Sequence, residues 1–301
     1  MTYINVLVPE ILGQSIDANT LVAAFPDLVI KNIQKKRAAI CLKGAMSKKT
    51  GNLHTQKLFD EYNQEQNYCD FYSVYNCFFQ HIIKPNCERY DIDIFLQSWN
   101  PELQNQLINL YKPVSYLFEN NNLYANHFQN KLKEIGDYNG ENSEKYAMAS
   151  SSLAIKKSLE LKTNYENQNN FKYDLVLIYR PDVILVKDIN FDNYNIDGNV
   201  IYCNYTWINP HIPIEGQGEY YWIMSSETSN RFKFIYDASY KQKFVNHQGI
   251  YYFMKDVLKA EMRHDYIQHG IDITAARTET IGGFSIGIDD LKKYGFNFYI
   301  L

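Results

Sequence analysis

An arginine and an aspartate stand two residues apart at Arg180-Pro181-Asp182, directly after the apolar run Leu175-Val176-Leu177-Ile178-Tyr179. Such a run reads as a strand buried on both faces, as in a parallel α/β sheet. Charge is costly to bury unless it is paired or ligated, and open α/β sheets bind ligands at the carboxyl ends of their strands. The step therefore reads in one of two ways: as a site for a charged ligand, or as an Arg–Asp pair closing an ordinary strand. As a site, Asp182 could hold a hard cation that bridges phosphate oxygens. Arg180 could contact phosphate directly.

Other segments carry weaker chemical signals. The loop Lys43-Gly44-Ala45-Met46-Ser47-Lys48-Lys49-Thr50-Gly51 follows an apolar run, where nucleotide folds place phosphate or base contacts. It lacks the glycine that a P-loop needs directly before its lysine, so it reads as a glycine turn with solvated lysines or as a nucleotide-facing loop of another kind. Asp91-Ile92-Asp93 is a literal Asp-x-Asp, but it precedes its apolar run and so falls at the amino edge, away from the ligand face. Glu219 stands before the aromatic stretch Tyr220-Tyr221-Trp222, either as an acceptor-side base or as an exposed residue opening a strand. The aromatic stretch itself reads as core. His247 reads as a solvent-facing residue at a helix start.

The elements that must position these residues follow from periodicity. Arg37 to Leu42 reads as a first buried strand, and residues 70–84 as a helix with Asp70 as its cap and Pro85 beyond its end. Asp91 to Leu96 gives a second strand. Asn100-Pro101 opens a helix, with Asn as cap and Pro at the first helical position, and Val114 to Phe118 gives a third strand. This alternation argues for a parallel, Rossmann-like sheet. A short helix from His127 to Ile135 and a long one from Ala149 to Tyr165 lead to the Leu175 strand. Strands at Val200 to Asn204 and Glu219 to Ser225, helices at Asn230 to Ala238 and Gly249 to Ala260, and a mixed tail over 261–301 complete the chain.

No repeat and no linker breaks the 301 residues, so the expectation is one domain. It comprises an N-terminal arm (1–32), a nucleotide-binding half (37–190) and an acceptor-side half with a tail (191–301). With 30 basic residues against 34 acidic ones, nothing favours general nucleic-acid binding. The five cysteines lack zinc-site spacing and read as reduced packing residues of a cytoplasmic protein. No segment approaches the ~20 apolar residues of a membrane span.

Taken in order, several of these pieces resemble the GT-A-type glycosyltransferases of bacterial surface polysaccharide clusters and large DNA viruses. They are Ala39-Ile40-Cys41-Leu42-Lys43-Gly44, Asp93-Ile94-Phe95-Leu96-Gln97-Ser98-Trp99, Tyr111-Lys112-Pro113 before a strand ending in Glu119, the helix from Ser152 to Leu161 with Tyr165-Glu166, and Tyr173-Asp174 leading to Arg180-Pro181-Asp182-Val183. The resemblance implies an α/β, GT-A-like (Rossmann-like) fold with a mostly parallel central sheet flanked by helices and a mixed C-terminal half. It implies a nucleoside-diphosphate-sugar donor bound near Lys43, Gly44, Ala45, Ser152, Lys156, Arg180 and Asp182, and a glycan or lipid-linked glycan acceptor. It also implies Mn²⁺ or Mg²⁺ at Asp182, although Arg180 stands where the family has the first Asp of its metal-binding pair. Asp182 and Glu219 would be the catalytic groups, the latter as acceptor base. Two other readings stand beside it: a sulfotransferase-like enzyme using the Lys43 to Thr50 loop, and a non-catalytic carbohydrate-binding or assembly protein on the same fold.

Overall fold

The computed structural model describes residues 35–46, 71–136, 144–205, 220–242, 247–268, 272–275 and 293. The chain divides after Lys35 into two units, and every element below belongs to the second. The expected N-terminal arm, the cap Asp70, Glu219 and much of the expected tail lie outside the described residues.

Seven strands form the central sheet: β1 (Lys36–Gly44), β2 (Tyr90–Ser98), β3 (Ser115–Phe118), β4 (Leu175–Tyr179), β6 (Val200–Tyr205), β7 (Tyr221–Met224) and β8 (Glu261–Gln268). Their order is β3-β2-β1-β4-β7-β6-β8. All run in one direction except β7, which is antiparallel to β4 and β6. The expected α/β fold, mostly parallel with a mixed C-terminal half, is the one observed. Two short strands, β5 (Val183–Leu185) and β9 (Ile273–Ala275), pair with each other in a separate antiparallel sheet.

β1 lies at the centre of the parallel half, and its side chains alternate between two cores. Ala39 and Cys41 pack with Phe95, Val176, Ile178 and Trp222 on one face, while Ala38, Ile40 and Leu42 pack with Leu96, Leu177, Tyr179 and Ile223 on the other. This period of two explains why β1 and β4 read as continuous apolar runs: both faces are covered. Each fully buried Leu or Ile side chain contributes about 1.5–3 kcal/mol of transfer free energy.

The second face is covered by α1, a continuous helical run assembled from Phe71–Phe78, a wide π turn at Phe79–Ile83 and Lys84–Asn86, and by α2 (Gln104–Tyr111). Pro85 lies inside this run rather than beyond its end. A proline has no N–H to give to the carbonyl four residues back, and the His81 carbonyl accepts from Ile189 N instead at 2.9 Å. The first face carries α3 (Ala125–Glu134), the long α4 (Glu144–Asn169), α5 (Ser226–Phe232), α6 (Ile235–Gln242) and α7 (His247–Tyr252). The single helix expected over 230–238 is in fact two, separated at Lys233 and Phe234. In the expected mixed tail, the polar stretch Glu261-Met262-Arg263-His264-Asp265 forms edge strand β8, parallel to β6.

α4 crosses β1, β2 and β3. Its Leu153, Ala154, Ile155 and Leu159 are buried against the sheet, so one rigid helix aligns the carboxyl edge with the polar groups near its own N-terminal half.

Candidate functional site

The parallel strands present their carboxyl ends at one edge, where the reversed β7 begins. β4 stops there because Pro181 has no N–H to extend the ladder. The last link is Arg180 N donating to Tyr220 O at 3.0 Å. The Arg180 side chain then folds onto Asp182, with Nε 3.1 Å from Oδ1 and Nη2 2.9 Å from Oδ2. Asp182 is 1% exposed and the Arg180 side chain 20%. Burial works against the guanidinium charge, but the neighbouring carboxylate overrides it and raises Arg180 above its ordinary pKa. The guanidinium carbon also lies 5.2 Å from the Tyr220 ring centroid, within cation–π range.

On the neighbouring strand β1, Lys43 is almost wholly buried. Its Nζ donates to Ser151 Oγ of α4 at 2.8 Å and lies 5.5 Å from the Trp222 ring. Gly44 takes φ +108, a conformation open to glycine and strained for other residues. That turn lets Gly44 N reach Gln97 Oε1 at 3.0 Å. Ala45 is half-buried against the first core. Asn100 does not cap its helix as expected. Its Oδ1 accepts from Met46 N at 2.7 Å and its Nδ2 donates to Glu102 at 2.7 Å, so it ties the loop after β1 to the end of β2.

The structure thus brings Lys43, Gly44, Ala45, Arg180 and Asp182 to the edge that the sequence predicts. The two α4 residues named from sequence have partners of their own or lie buried. Ser152 is buried, and it is its neighbour Ser151 that touches Lys43. Lys156 bonds Asp237 of α6 at 2.9 Å and lies 5.9 Å from the Tyr236 ring, on a different face of the helix. The Asp91-Ile92-Asp93 pattern lies at the amino half of β2 as expected, with Asp93 accepting from Tyr173 OH at 2.7 Å.

Several polar groups at the edge were not singled out from sequence. Asn204 at the end of β6 is fully buried and accepts from Tyr220 N at 3.3 Å. Asp265 of β8 is buried and accepts from the hydroxyls of both Tyr194 and Tyr221. Glu119, just past β3, is held by Tyr124 OH at 2.5 Å and by Lys157 at 2.8 Å. Burial works against the Lys157 charge, but its bonds to Glu119 and Tyr124 raise its pKa overall. A polar residue ending an apolar strand, as at Gln97 and Asn204, is a sequence signal that could have found some of them; Asp265, within a polar strand, carries no such signal.

The expected divalent metal fits these residues poorly. Both Asp182 oxygens are already in contact with the Arg180 guanidinium. A cation on either oxygen would stand near that positive charge, at about 4 kcal/mol of repulsion per unit charge at 4 Å and an effective dielectric of 20. Among the described residues no group of three or more His, Cys, Asp and Glu side chains is placed to hold a metal ion.

Three clefts among the described residues lie away from this edge. One of about 950 Å³ is lined by His81, Lys84, Arg89 and Asp188. Others of about 650 and 300 Å³ open beside Asp174 at the amino edge. None contains Arg180 or Lys43. Electrostatics and position, rather than cleft volume, mark the candidate site.

No family model matches the chain, and no curated protein matches its sequence. Among solved structures it is similar to apo mouse xyloside xylosyltransferase 1, with TM-score 0.40 and 9% identity over 77% of this chain and 84% of that one. It is also similar to the glycosyltransferase GlyE of Streptococcus pneumoniae, with TM-score 0.37 and 9% identity over 77% of this chain but 46% of that one. A third similar structure is the nucleoside-diphosphate-sugar pyrophosphorylase of Vibrio cholerae, with TM-score 0.38 and 7% identity over 85% and 98%. Likenesses this distant carry no argument about activity. Among the described residues, no helix is long and apolar enough to cross a membrane.

Proposed function

We propose that this chain is a glycosyltransferase that moves a sugar from a nucleoside-diphosphate-sugar donor to a glycan or lipid-linked glycan acceptor, in the synthesis of a surface polysaccharide or glycan. The observation that carries this reading is the placement of two largely buried cations, Lys43 and Arg180, at the carboxyl edge of a mostly parallel sheet. That is where open α/β sheets bind ligands, and a low-dielectric setting strengthens the pull of fixed cations on an anion. The sequence resemblance of residues 37–190 supports it, because its pieces include the segments that end at this edge.

In this reading the loop Lys43-Gly44-Ala45 lies against the donor, and Arg180 faces the diphosphate that departs. A fixed guanidinium aimed where negative charge develops lowers the barrier without rearrangement during reaction. Asp182 holds the guanidinium plane in place through its two bonds. Glu219, one residue before Tyr220, is the proposed acceptor base, taking a proton from the acceptor hydroxyl.

The test is consumption of a panel of UDP-, GDP-, CDP- and dTDP-sugars, followed by chromatography for release of the nucleoside diphosphate. Slow hydrolysis by water makes an acceptor unnecessary. One nucleotide sugar should be consumed, and Glu219→Gln should slow transfer by roughly 10²-fold or more while leaving donor affinity within twofold. A nucleotide sugar that binds and is never consumed would instead favour the non-catalytic carbohydrate-binding reading.

A further inference from the structure

Buried polar atoms in folded proteins nearly always find hydrogen-bond partners, so a cluster of exceptions calls for an explanation. The buried side-chain nitrogens without a partner among the described residues are Gln97 Nε2, Trp99 Nε1, Asn204 Nδ2 and Trp222 Nε1. All four lie at the carboxyl edge or within two residues of it. Gln97 sits beside Lys43 in the strand register and Trp99 follows the end of β2. Asn204 abuts Tyr220, and Trp222 lies beneath Lys43. All four are hydrogen-bond donors, and Arg180 adds to them, because only two of its five N–H groups go to Asp182.

Among the described residues, the carboxylates of this edge are already occupied. Asp182 is bonded to Arg180, Glu119 to Lys157 and Tyr124, and Asp265 to two tyrosine hydroxyls. Among the described residues the edge therefore has an excess of donors and fixed cations over acceptors. A divalent cation needs the opposite, a set of oxygen ligands.

From this imbalance, and resting on the donor reading above, we propose that the edge binds the diphosphate of its nucleotide ligand directly, with no divalent cation between protein and phosphate. Arg180 takes the cation's place on the oxygens of Asp182. Its planar fork is suited to two phosphate oxygens at once, and the amide and indole N–H groups meet the remaining acceptors of the ligand.

The experiment is calorimetric titration of the full chain with inorganic pyrophosphate and with UDP, GDP, CDP and dTDP, once in EDTA and once in Mn²⁺. At least one of these should bind with a Kd that agrees within threefold between the two conditions. The double variant Arg180→Gln/Asp182→Asn removes both charges together and leaves polar amides in their place, so no unpaired charge stays buried. It should weaken that metal-free binding tenfold or more, with circular dichroism confirming that it is folded. Binding that needs Mn²⁺, or is more than threefold weaker in EDTA, overturns the inference and leaves the donor reading standing. Metal-free binding that the folded double variant retains within tenfold overturns the role of Arg180. No binding in either condition overturns the donor reading, and this inference with it.

Discussion

Two ion pairs among the described residues, each with a fully buried carboxylate, have similar composition and different surroundings. Lys162 and Glu166, one turn apart on α4, are both 0% exposed. Lys162 Nζ also donates to Ser226, Ser229 and Asn230 at 2.9–3.0 Å. Glu166 receives Ser226 OH, Tyr173 N and Lys172. Every strong bonding direction of this pair is used, and what it joins is α4, the start of α5 and the turn before β4. Arg180–Asp182 has the same charges, but its cation is partly exposed and retains unused donors beside four unpaired N–H groups. A saturated pair fixes architecture, whereas an unsaturated one at a strand's carboxyl end is available to a ligand.

The sharpest test of this contrast is Lys162→Met. It leaves the buried Glu166 carboxylate without its buried cation and should cost about 3–5 kcal/mol in chemical denaturation, with nucleotide affinity per folded molecule unchanged. Arg180→Gln/Asp182→Asn should do the reverse, costing about 1 kcal/mol of stability while removing nucleotide binding. If the two variants lost equal stability, the distinction between the pairs would fail.

A smaller effect appears with acid. Burial disfavours the Glu166 carboxylate, but its bond from Ser226, the charge of Lys162 and the bond from Tyr173 N outweigh it and hold its pKa below 4.5. The unfolded chain therefore binds the proton more readily, so this contribution is intact above pH 4.5 and shrinks as pH falls toward the folded-state pKa. Glu166→Gln should flatten that part of a stability–pH curve measured by denaturation, and an unchanged slope would show that Glu166 does not govern it.

The least effect is expected from Lys157→Met. The Lys157–Glu119 pair is 16% and 20% exposed, and the change should cost roughly 1 kcal/mol or less. A larger loss in thermal melts would move this cluster into the class of the α4 pair.

Much of the sheet was legible because its signal is local. The continuous apolar runs of Ala38 to Leu42 and of Leu175 to Tyr179 marked β1 and β4, and the step to Arg180-Pro181-Asp182 marked where β4 ends. Edge strand β8 was not legible, since Glu261-Met262-Arg263-His264-Asp265 has neither alternation nor an apolar run. Pro85 was read as a terminator because sequence does not show that Ile189 N would take the carbonyl it leaves free.

By itself, then, the sequence determined the fold class, and it put Lys43, Arg180 and Asp182 at the carboxyl ends of their strands as candidates. Only the tertiary structure decided the partners. Ser151 rather than Ser152 meets Lys43 across 108 positions of chain, Lys156 turns to Asp237, and Arg180 closes on Asp182 instead of leaving it open to a cation. The physical reason is one of range. Strand and helix periods are set by neighbouring residues, whereas a hydrogen-bond partner is chosen by the packing of segments that meet only when the chain folds.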